Sequence, residues 1–271
     1  MDNIAEKKLN ELKKELSKYD DLIIAYSGGL DSALLLKVAQ MVMGERVLAV
    51  ISDSPSIPRN ELDTAIRFAR ETGARLRVIN TKEIENQDYS RNPDNRCYFC
   101  KTELYESVEL LAREEGIRYV ANGTNLDDLG DYRPGLRAAD EHQVVSPLRD
   151  AGLTKDDIRL VAKKLNLEIW DKPASPCLAS RIPYGSPVTR AKLSQVEEAE
   201  NFVKSFGAKE LRVRHFGGKA VLEVNPVYME LVDSNYQEIK SKFATLGFDE
   251  LEIKEFQSGS LNKLININAK R

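Results

Sequence analysis

The sequence predicts an α/β protein, with a doubly wound parallel sheet followed by a smaller C-terminal α+β domain. Three observations favour this fold class. Short apolar runs alternate with helical patterns up to residue 165, the order changes to helix, strand, strand beyond residue 187, and residues 172–187 hold four prolines and a glycine. Such a proline-rich stretch is typical of a boundary or an active-site loop. We therefore expect domains at residues 1–185 and 186–271.

The first domain is expected to begin with an amphipathic helix over residues 3–18, because Leu9, Leu12 and Leu16 recur at the spacing of one helix face. A buried strand is predicted at residues 22–26, and further strands are predicted at residues 47–51, 76–80 and 118–122. Further helices are predicted at residues 32–42, 60–71, 98–115 and 154–165. Strands that alternate with helices in this way pair in parallel, and the helices cover the sheet.

Two helix ends are marked by the residues around them. Gly116 follows the helix predicted over residues 98–115 and closes it. Thr154 and Asp157 are placed like a capping box at the start of the next helix.

The second domain is predicted from a different order of elements. A helix is expected at residues 190–206, strands at 211–215 and 220–224, a helix at 227–246 and a strand at 251–255. This order is typical of a small α+β unit. The tail over residues 257–271 has no clear period, and no structure is predicted for it.

Composition narrows the class of protein. The 271 residues contain no apolar run of membrane-spanning length and begin with a highly charged segment unlike a signal peptide, so we expect a cytoplasmic protein without a membrane partner. The net charge of −3 argues against a nucleic-acid partner. Three cysteines favour metal or sulfur chemistry over disulfides, and the two histidines, His142 and His215, are expected to be structural.

A turn rich in glycine and serine separates the first predicted strand from its helix. Ser27, Gly28 and Gly29 occupy this turn, and the helix begins near Ser32. Glycines allow backbone N–H groups to approach an anion closely, and the helix adds its positive end, so the turn is suited to phosphate. Neither the Walker pattern nor the Gly-x-Gly-x-x-Gly fingerprint is present.

The segment SGGLDS resembles the pyrophosphate loop of the N-type ATP pyrophosphatases, which adenylylate their substrates. The resemblance implies that ATP phosphates contact Ser27, Gly28, Gly29 and Ser32, and that Asp31 helps to hold magnesium. The alternative is a glycine-rich turn without a chemical role. The segment NGTNLDD at residues 122–128 resembles the next nucleotide-facing loop of this family, which makes Gly123 and Asn125 candidates for ATP binding. Asp127 and Asp128 have turn formation as their simpler interpretation.

Further segments resemble the LarE family over nearly the whole chain. They are DYRPGLRAADE at 131–141, SPLRDAGLTKDDIR at 146–159, WDKPASPCLASRIPYG at 170–185 and LRVRHF at 211–216. The resemblance implies an AMP-forming sulfurtransferase for the nickel-pincer cofactor of lactate racemase. In the implied reaction, ATP adenylylates a carboxylate of pyridinium-3,5-biscarboxylate mononucleotide, and sulfur then displaces AMP. The resemblance also implies a ring-like homo-oligomer such as a hexamer, and the sulfide source is unknown.

The resemblance assigns sulfur chemistry to Cys177, whose counterpart in many family members is a sacrificial sulfur donor. This chain adds Cys97 and Cys100 in a C-x-x-C spacing, and three cysteines suit a 4Fe-4S cluster with one open iron, as in the iron–sulfur variants of the family. Structural zinc, a redox pair beside Cys177 as the sole donor, and three inert buried thiols are the alternatives.

Arginines are the expected ligands of an anionic nucleotide substrate. Arg212 and Arg214 alternate on one predicted strand and so point to the same face, where two positive charges require an anion or a carboxylate between them. The resemblance assigns substrate binding to four residues, which are Ser180, Arg181, Arg212 and Arg214. It makes Glu200 an active-site or magnesium-binding carboxylate, with Glu197 as its rival. A solvated strand edge is the alternative for the arginines.

Two other functions fit the same motifs. A cluster-dependent tRNA thiolase shares the ATP loop and three cysteines, but such enzymes usually carry an RNA-binding domain or extra zinc-finger cysteines, which this sequence lacks. A non-catalytic protein that binds ATP and an iron–sulfur cluster is the second alternative.

Overall fold

The computed structural model of the protein describes residues 2–130, 134–173 and 175–257. The helices are α1 Asp2–Leu16, α2 Leu30–Met43, α3 Arg59–Glu71, α4 Gln87–Ser90, α5 Arg96–Glu115, α6 Pro134–Glu141, α7 Pro147–Asp150, α8 Lys155–Lys164, α9 Arg190–Ser205, α10 Met229–Ser234 and α11 Tyr236–Thr245. The strands are β1 Leu22–Ala25, β2 Val47–Asp53, β3 Arg75–Asn80, β4 Val120–Ala121, β5 Leu211–Phe216, β6 Lys219–Val224 and β7 Glu250–Glu255. Within these residues no helix is long and apolar enough to cross a bilayer.

The chain divides into two compact units, neither of them continuous in sequence. The first contains the described residues of Met1–Ser54, Arg59–Glu83 and Cys97–Ser175. The second contains those of Pro55–Pro58, Ile84–Arg96 and Pro176–Arg271. The domain boundary at residue 185 stays a prediction, and the predicted tail lies almost entirely outside the described residues.

The first unit is built on a parallel sheet with the strand order β3-β2-β1-β4. Ile23 of β1 packs against Val108 of α5. On the opposite face, the ring of Tyr26 stacks on Phe68 of α3 with 6.3 Å between the ring centroids. Because neighbouring residues of a strand point to opposite faces, helices cover both sides of the sheet. The predicted doubly wound parallel fold is confirmed.

The capping box predicted at the start of α8 is also present. The Thr154 hydroxyl accepts a hydrogen bond from the Asp157 N–H at 3.2 Å, and the Asp157 carboxylate accepts one from the Thr154 N–H at 3.1 Å. These two bonds satisfy backbone donors that a helix start otherwise leaves unpaired. The first residue of α8, Lys155, is thereby held in place.

The second unit contains a small mixed sheet. Strand β5 pairs antiparallel with β6, and β6 pairs parallel with β7. Its buried core joins Val203 of α9, Val213 and Leu222 of the strands, and Phe243 of α11. This arrangement confirms the smaller C-terminal α+β part of the predicted fold.

The single helix predicted over residues 227–246 is wrong. The chain forms α10 and α11, which are separated at Asn235. The Asn235 side chain donates a hydrogen bond to the Leu231 carbonyl at 2.7 Å, and its backbone has φ −108° and ψ 13°. Asparagine side chains that bond to nearby backbone groups compete with helix formation, which explains the break.

Asn92 holds the proline-rich segment of the second unit. It is fully buried, its backbone has φ 59°, and its side-chain amide lies within hydrogen-bond distance of three carbonyl oxygens. These oxygens belong to Ile182 at 3.3 Å, Pro183 at 2.8 Å and Ser186 at 2.9 Å. The Asn92 side chain thus helps to fix this segment, together with backbone bonds such as the one from the Gly185 N–H to the Asn92 carbonyl at 2.8 Å.

His215 has the contacts of a structural histidine. The Gln195 amide nitrogen donates to the Leu246 carbonyl at 2.6 Å, which leaves the Gln195 amide oxygen facing the His215 Nε2 at 3.0 Å. This oxygen accepts the ring proton of His215. Burial lowers the pKa of His215, which favours the neutral ring. His142 lies in the first unit, with its Nδ1 2.7 Å from a carboxylate oxygen of Glu109.

Candidate active site

The SGGLDS loop, residues 27–32, closes on the first turn of α2. The Ser32 hydroxyl lies 3.2 Å from the Ser27 nitrogen and 3.1 Å from the Ser27 hydroxyl, and it donates to the Gly29 carbonyl at 3.1 Å. Gly29 is the N-cap of α2 and provides no side-chain cap. The positive end of the helix therefore has no acceptor from its N-cap side chain, which suits it to an anionic ligand.

Gly28 is required at its position for two physical reasons. Its φ is +74°, a conformation that side chains disfavour. A Cβ atom at this position would also lie 2.6 Å from the Cβ of Ala65 in α3. The loop consequently rests directly on α3.

Gly123 brings the NGTNLDD loop, residues 122–128, against the start of α2. A Cβ atom at Gly123 would lie 2.8 Å from the Ser32 nitrogen and 3.0 Å from its Cα. Both of these are backbone atoms and cannot move aside cheaply. The two loops predicted to bind ATP therefore meet at the same helix end.

The remainder of the NGTNLDD loop is stabilised by its own side chains. The Asn125 side chain accepts a hydrogen bond from the Asp127 N–H at 3.0 Å, and Asp128 accepts one from the Asn125 N–H at 3.1 Å. Asp127 also accepts one from the Lys155 N–H at 2.8 Å. These contacts support the interpretation of Asp127 and Asp128 as turn formers.

Asp31, the predicted magnesium ligand, has a partner that sequence reasoning missed. The Lys155 ammonium lies 2.5 Å from its carboxylate and neutralises it. Lys155 is the first residue of α8, directly after the capping Thr154, and no local sequence pattern connects it with Asp31. The pair suggests that Lys155 provides the counter-charge when no metal is bound.

Lys172, too, was not identified from the sequence as a residue beside the SGGLDS loop. Its ammonium lies 2.6 Å from the Glu61 carboxylate of α3 and 3.4 Å from the Gly28 carbonyl oxygen. Its place in the WDKP segment gives no indication of either contact.

The cysteines lie in different parts of the chain. Cys97 and Cys100 are near the start of α5 in the first unit, three residues apart and so on one side of the helix. Cys177 is half-buried in the second unit, immediately before a 3₁₀ turn over Leu178–Arg181. Within the described ranges, no group of three or more His, Cys, Asp or Glu side chains is arranged to hold a metal ion.

Arg181 is engaged with protein groups of the second unit. It forms a bidentate ion pair with Glu200, at 2.8 Å and 3.2 Å, and both residues are buried. The same guanidinium donates to the carbonyls of Pro176 at 2.5 Å and Cys177 at 3.2 Å. Glu200 also accepts from the Val213 N–H at 3.1 Å. In this structure, Arg181 and Glu200 fix the turn that carries Cys177.

Arg214 and Arg212 share a strand face, but only Arg214 is neutralised. Arg214 donates to the Glu223 carboxylate of β6 at 3.0 Å and 2.8 Å, and to the Ser180 carbonyl at 3.0 Å. Among the described residues, the Arg212 guanidinium has no hydrogen-bond or ion-pair partner, and it lies 4.8 Å from the ring centroid of Phe256. Burial lowers the pKa of Arg212 to about 10, and the charges of Arg181 and Arg214 add to this effect. An anion beside Arg212 would relieve this repulsion.

Comparisons with known proteins indicate the family. The model of the family described as "Thiamine biosynthesis protein (ThiI)" matches residues 17–205. The chain is 32% identical to pyridinium-3,5-bisthiocarboxylic acid mononucleotide synthase of Lactiplantibacillus plantarum, over 97% of this chain and 96% of that protein. It is 40% identical to the uncharacterized protein slr1717 of Synechocystis, over 96% and 98% of the two chains. It is 28% identical to GMP synthase of Aeropyrum pernix, over 78% of this chain and 43% of that protein.

Gly123→Ala tests the contact between the two loops. The added methyl group must displace the NGTNLDD loop from the α2 backbone, so we expect the affinity for magnesium pyrophosphate to fall about tenfold, or about 1.4 kcal/mol. Isothermal titration calorimetry measures this change. Gly130→Ala is the control, because no atom lies within 4 Å of a Cβ built there and its φ is ordinary. Equal affinities for the two variants would contradict the assignment of this helix end to phosphate.

Proposed function

The chain belongs to the LarE family of N-type ATP pyrophosphatases and is an ATP-dependent sulfurtransferase, and from this membership we propose that its substrate is pyridinium-3,5-biscarboxylate mononucleotide. The product would be the corresponding thiocarboxylate for the nickel-pincer cofactor. The relative from Lactiplantibacillus plantarum is named for that bisthiocarboxylate product. The observation that carries the proposal is the close approach of Gly123 to Ser32, which joins two loops at one anion-binding helix end.

The first step activates a carboxylate. A substrate carboxylate oxygen attacks the α-phosphorus of ATP, the bond to the bridging oxygen of the β-phosphate breaks, and pyrophosphate leaves. The SGGLDS loop binds this leaving group through the Gly29 N–H, the Ser27 and Ser32 hydroxyls and the positive end of α2. Asp31 fits a magnesium ion, since this metal prefers carboxylate and phosphate oxygens, and the ion would offset the charge of the departing pyrophosphate.

The second step introduces sulfur. A sulfide attacks the carbonyl carbon of the acyl adenylate, the carbon–oxygen bond to AMP breaks, and a thiocarboxylate remains. If the Cys177 thiolate attacked instead, a thioester would form, and cleavage of its Cβ–Sγ bond with loss of the Cα proton would release the thiocarboxylate and leave dehydroalanine. We assign delivery of sulfur to the cysteines Cys97, Cys100 and Cys177, with Arg181 and Glu200 holding the turn that carries Cys177. The C-x-x-C pair on one side of α5 fits two ligands of a 4Fe-4S cluster, and an open iron would supply a replaceable sulfide.

Arg212 is proposed to bind the phosphate of the substrate. Two of the three arginines in this part of the second unit are neutralised by Glu200 and Glu223, whereas Arg212 keeps its full charge in a half-buried place. An anionic ligand gains most from the one guanidinium that no described carboxylate neutralises. Ser180 lies beside Arg181 and can donate to the same phosphate. Arg181 and Arg214 would then contribute mainly by shaping the site.

Asp31→Ala tests the role of the SGGLDS loop. Loss of the magnesium ligand should abolish formation of AMP and pyrophosphate when ATP and the pyridinium substrate are added, while the iron content of anaerobically reconstituted protein stays unchanged. Coupled pyrophosphate release and iron analysis measure the two properties. Asp63→Ala removes an exposed carboxylate from α3 and should leave both unchanged. Simultaneous loss of AMP formation and iron in Asp31→Ala would show that the loop assignment is wrong.

Arg212→Gln tests the anion site through stability as well as binding. Without ligand, removal of a charge repelled by two neighbouring arginines should raise the melting temperature by a few degrees, equivalent to about 1 kcal/mol. Addition of inorganic phosphate should stabilise the wild type more than the variant, which keeps only the SGGLDS loop as a phosphate site. Arg190→Gln, which changes an exposed arginine of the same unit, should behave like the wild type in both measurements. An equal phosphate response in Arg212→Gln and the wild type would contradict an anion site at Arg212.

Cys97→Ala distinguishes the two sulfur sources. If the three cysteines hold a cluster, the variant should lose the brown absorption of protein reconstituted without oxygen, together with multiple turnovers. Cys177→Ala should lose sulfur transfer under either mechanism. A Cys97→Ala protein that still completes one turnover, with loss of one sulfur from Cys177 by mass spectrometry, would establish a sacrificial donor.

A further inference from the structure

We propose that Lys172 is a positioning residue of the SGGLDS loop. Its ammonium group, anchored by Glu61, fixes the peptide between Gly28 and Gly29 so that the Gly29 N–H faces the phosphate side of the loop. The inference rests on the proposed function, because it requires that the outer phosphates of ATP bind this loop.

The contacts of Lys172 place it between the loop and α3. An ammonium group has three hydrogens to donate. One is directed to the Glu61 carboxylate at 2.6 Å, and the Gly28 carbonyl oxygen lies within reach of another at 3.4 Å. The two ionised side chains are 20% and 29% exposed, so water screens the pair only in part. The backbone N–H of Lys172 donates to the Ile169 carbonyl at 3.0 Å, which fixes the start of the side chain.

Because the peptide bond is planar, the contact of Lys172 with the Gly28 carbonyl also sets the direction of the Gly29 N–H. The Gly28 carbonyl and the Gly29 N–H belong to one trans peptide unit and point in opposite directions. The carbonyl faces Lys172, whereas the N–H faces the Ser27 hydroxyl at 3.4 Å. That hydroxyl lies 3.1 Å from the Ser32 hydroxyl. The N–H therefore belongs to the same group of donors as the two hydroxyls.

A glycine peptide needs such an external restraint. Ala65 confines the Cα of Gly28, but a contact at Cα leaves the following peptide plane free to rotate. Glycine has a low cost for such rotation, since it populates both signs of φ. A rotated peptide would turn its carbonyl oxygen toward the phosphates and repel them. Lys172 opposes this rotation by attracting the oxygen to the other side.

The charges around Lys172 indicate that it orients the loop peptide and does not attract the ligand directly. The charge of Lys172 is offset by Glu61 at 2.6 Å, so the pair adds little positive potential to the loop. The effect of Lys172 on phosphate must then depend on its donor hydrogens and only weakly on its charge. A neutral side chain with an N–H donor should preserve part of that effect, and an apolar one should not.

Three variants test this expectation by calorimetry with magnesium pyrophosphate and with AMP. Lys172→Met should weaken pyrophosphate binding about tenfold and leave AMP binding within about twofold of wild type. Lys172→Gln should recover a large part of the lost affinity, because its amide can donate to the Gly28 carbonyl. Lys164→Met is the control, since it removes a lysine that pairs with Glu6 at 3.0 Å in the same unit. In glycine-labelled protein without ligand, the Gly29 amide signal should shift in Lys172→Met and return toward its wild-type position in Lys172→Gln.

Other outcomes would overturn the proposal. Equal weakening in the Gln and Met variants would mean that the charge of Lys172 acts on the ligand directly. Equal loss of AMP and pyrophosphate binding, or an unshifted Gly29 signal, would mean a general structural role. A wild-type protein that binds neither ATP nor pyrophosphate would instead refute the proposed function.

Discussion

The candidate site depends on the absence of a side chain at Gly123. Because a Cβ there would lie 2.8 Å from the Ser32 nitrogen, only glycine allows the loop after β4 to lie against the first turn of α2. The parallel sheet brings these loops to one edge, since the carboxyl ends of parallel strands lie together. The missing side chain at Gly123 then allows the loop backbone to contact the first turn of α2. Two distant segments of the sequence thereby meet at one helix end, where the helix dipole already favours an anion.

In the second unit, two carboxylates determine which of three neighbouring arginines stays without a carboxylate partner among the described residues. Three arginines lie close enough for Arg181 and Arg214 to affect the pKa of Arg212, an arrangement that is unfavourable without anions. Two buried carboxylates, Glu200 and Glu223, neutralise two of them in bidentate or doubly donated contacts. The remaining positive charge is therefore localised at Arg212. Glu200, which the sequence marks as a candidate active-site carboxylate, is thus engaged with Arg181, and Glu223, which the sequence does not mark, is engaged with Arg214.

The sequence predicted the features that local rules determine. The alternation of strands and helices gave the parallel sheet, and Thr154 with Asp157 gave the capping box of α8. The break at Asn235 was missed because an asparagine bond to the preceding turn competes with a helical pattern that otherwise continues. The partners Lys155 and Lys172 were also missed. They lie 124 and 144 residues from the groups they contact, and no local pattern encodes such distances.

These two lysines explain how an anion-binding loop tolerates nearby carboxylates. Asp31 at the first turn of α2 interacts favourably with the helix dipole, but its charge would repel pyrophosphate. Lys155 offsets that charge at 2.5 Å, and Lys172 offsets Glu61 on the other side of the loop. If magnesium bound Asp31, as proposed, the metal would supply the positive charge and Lys155 would become available to the ligand. The ion pair with Lys155 would thus allow Asp31 to hold a metal during the reaction without weakening the anion site when the metal is absent.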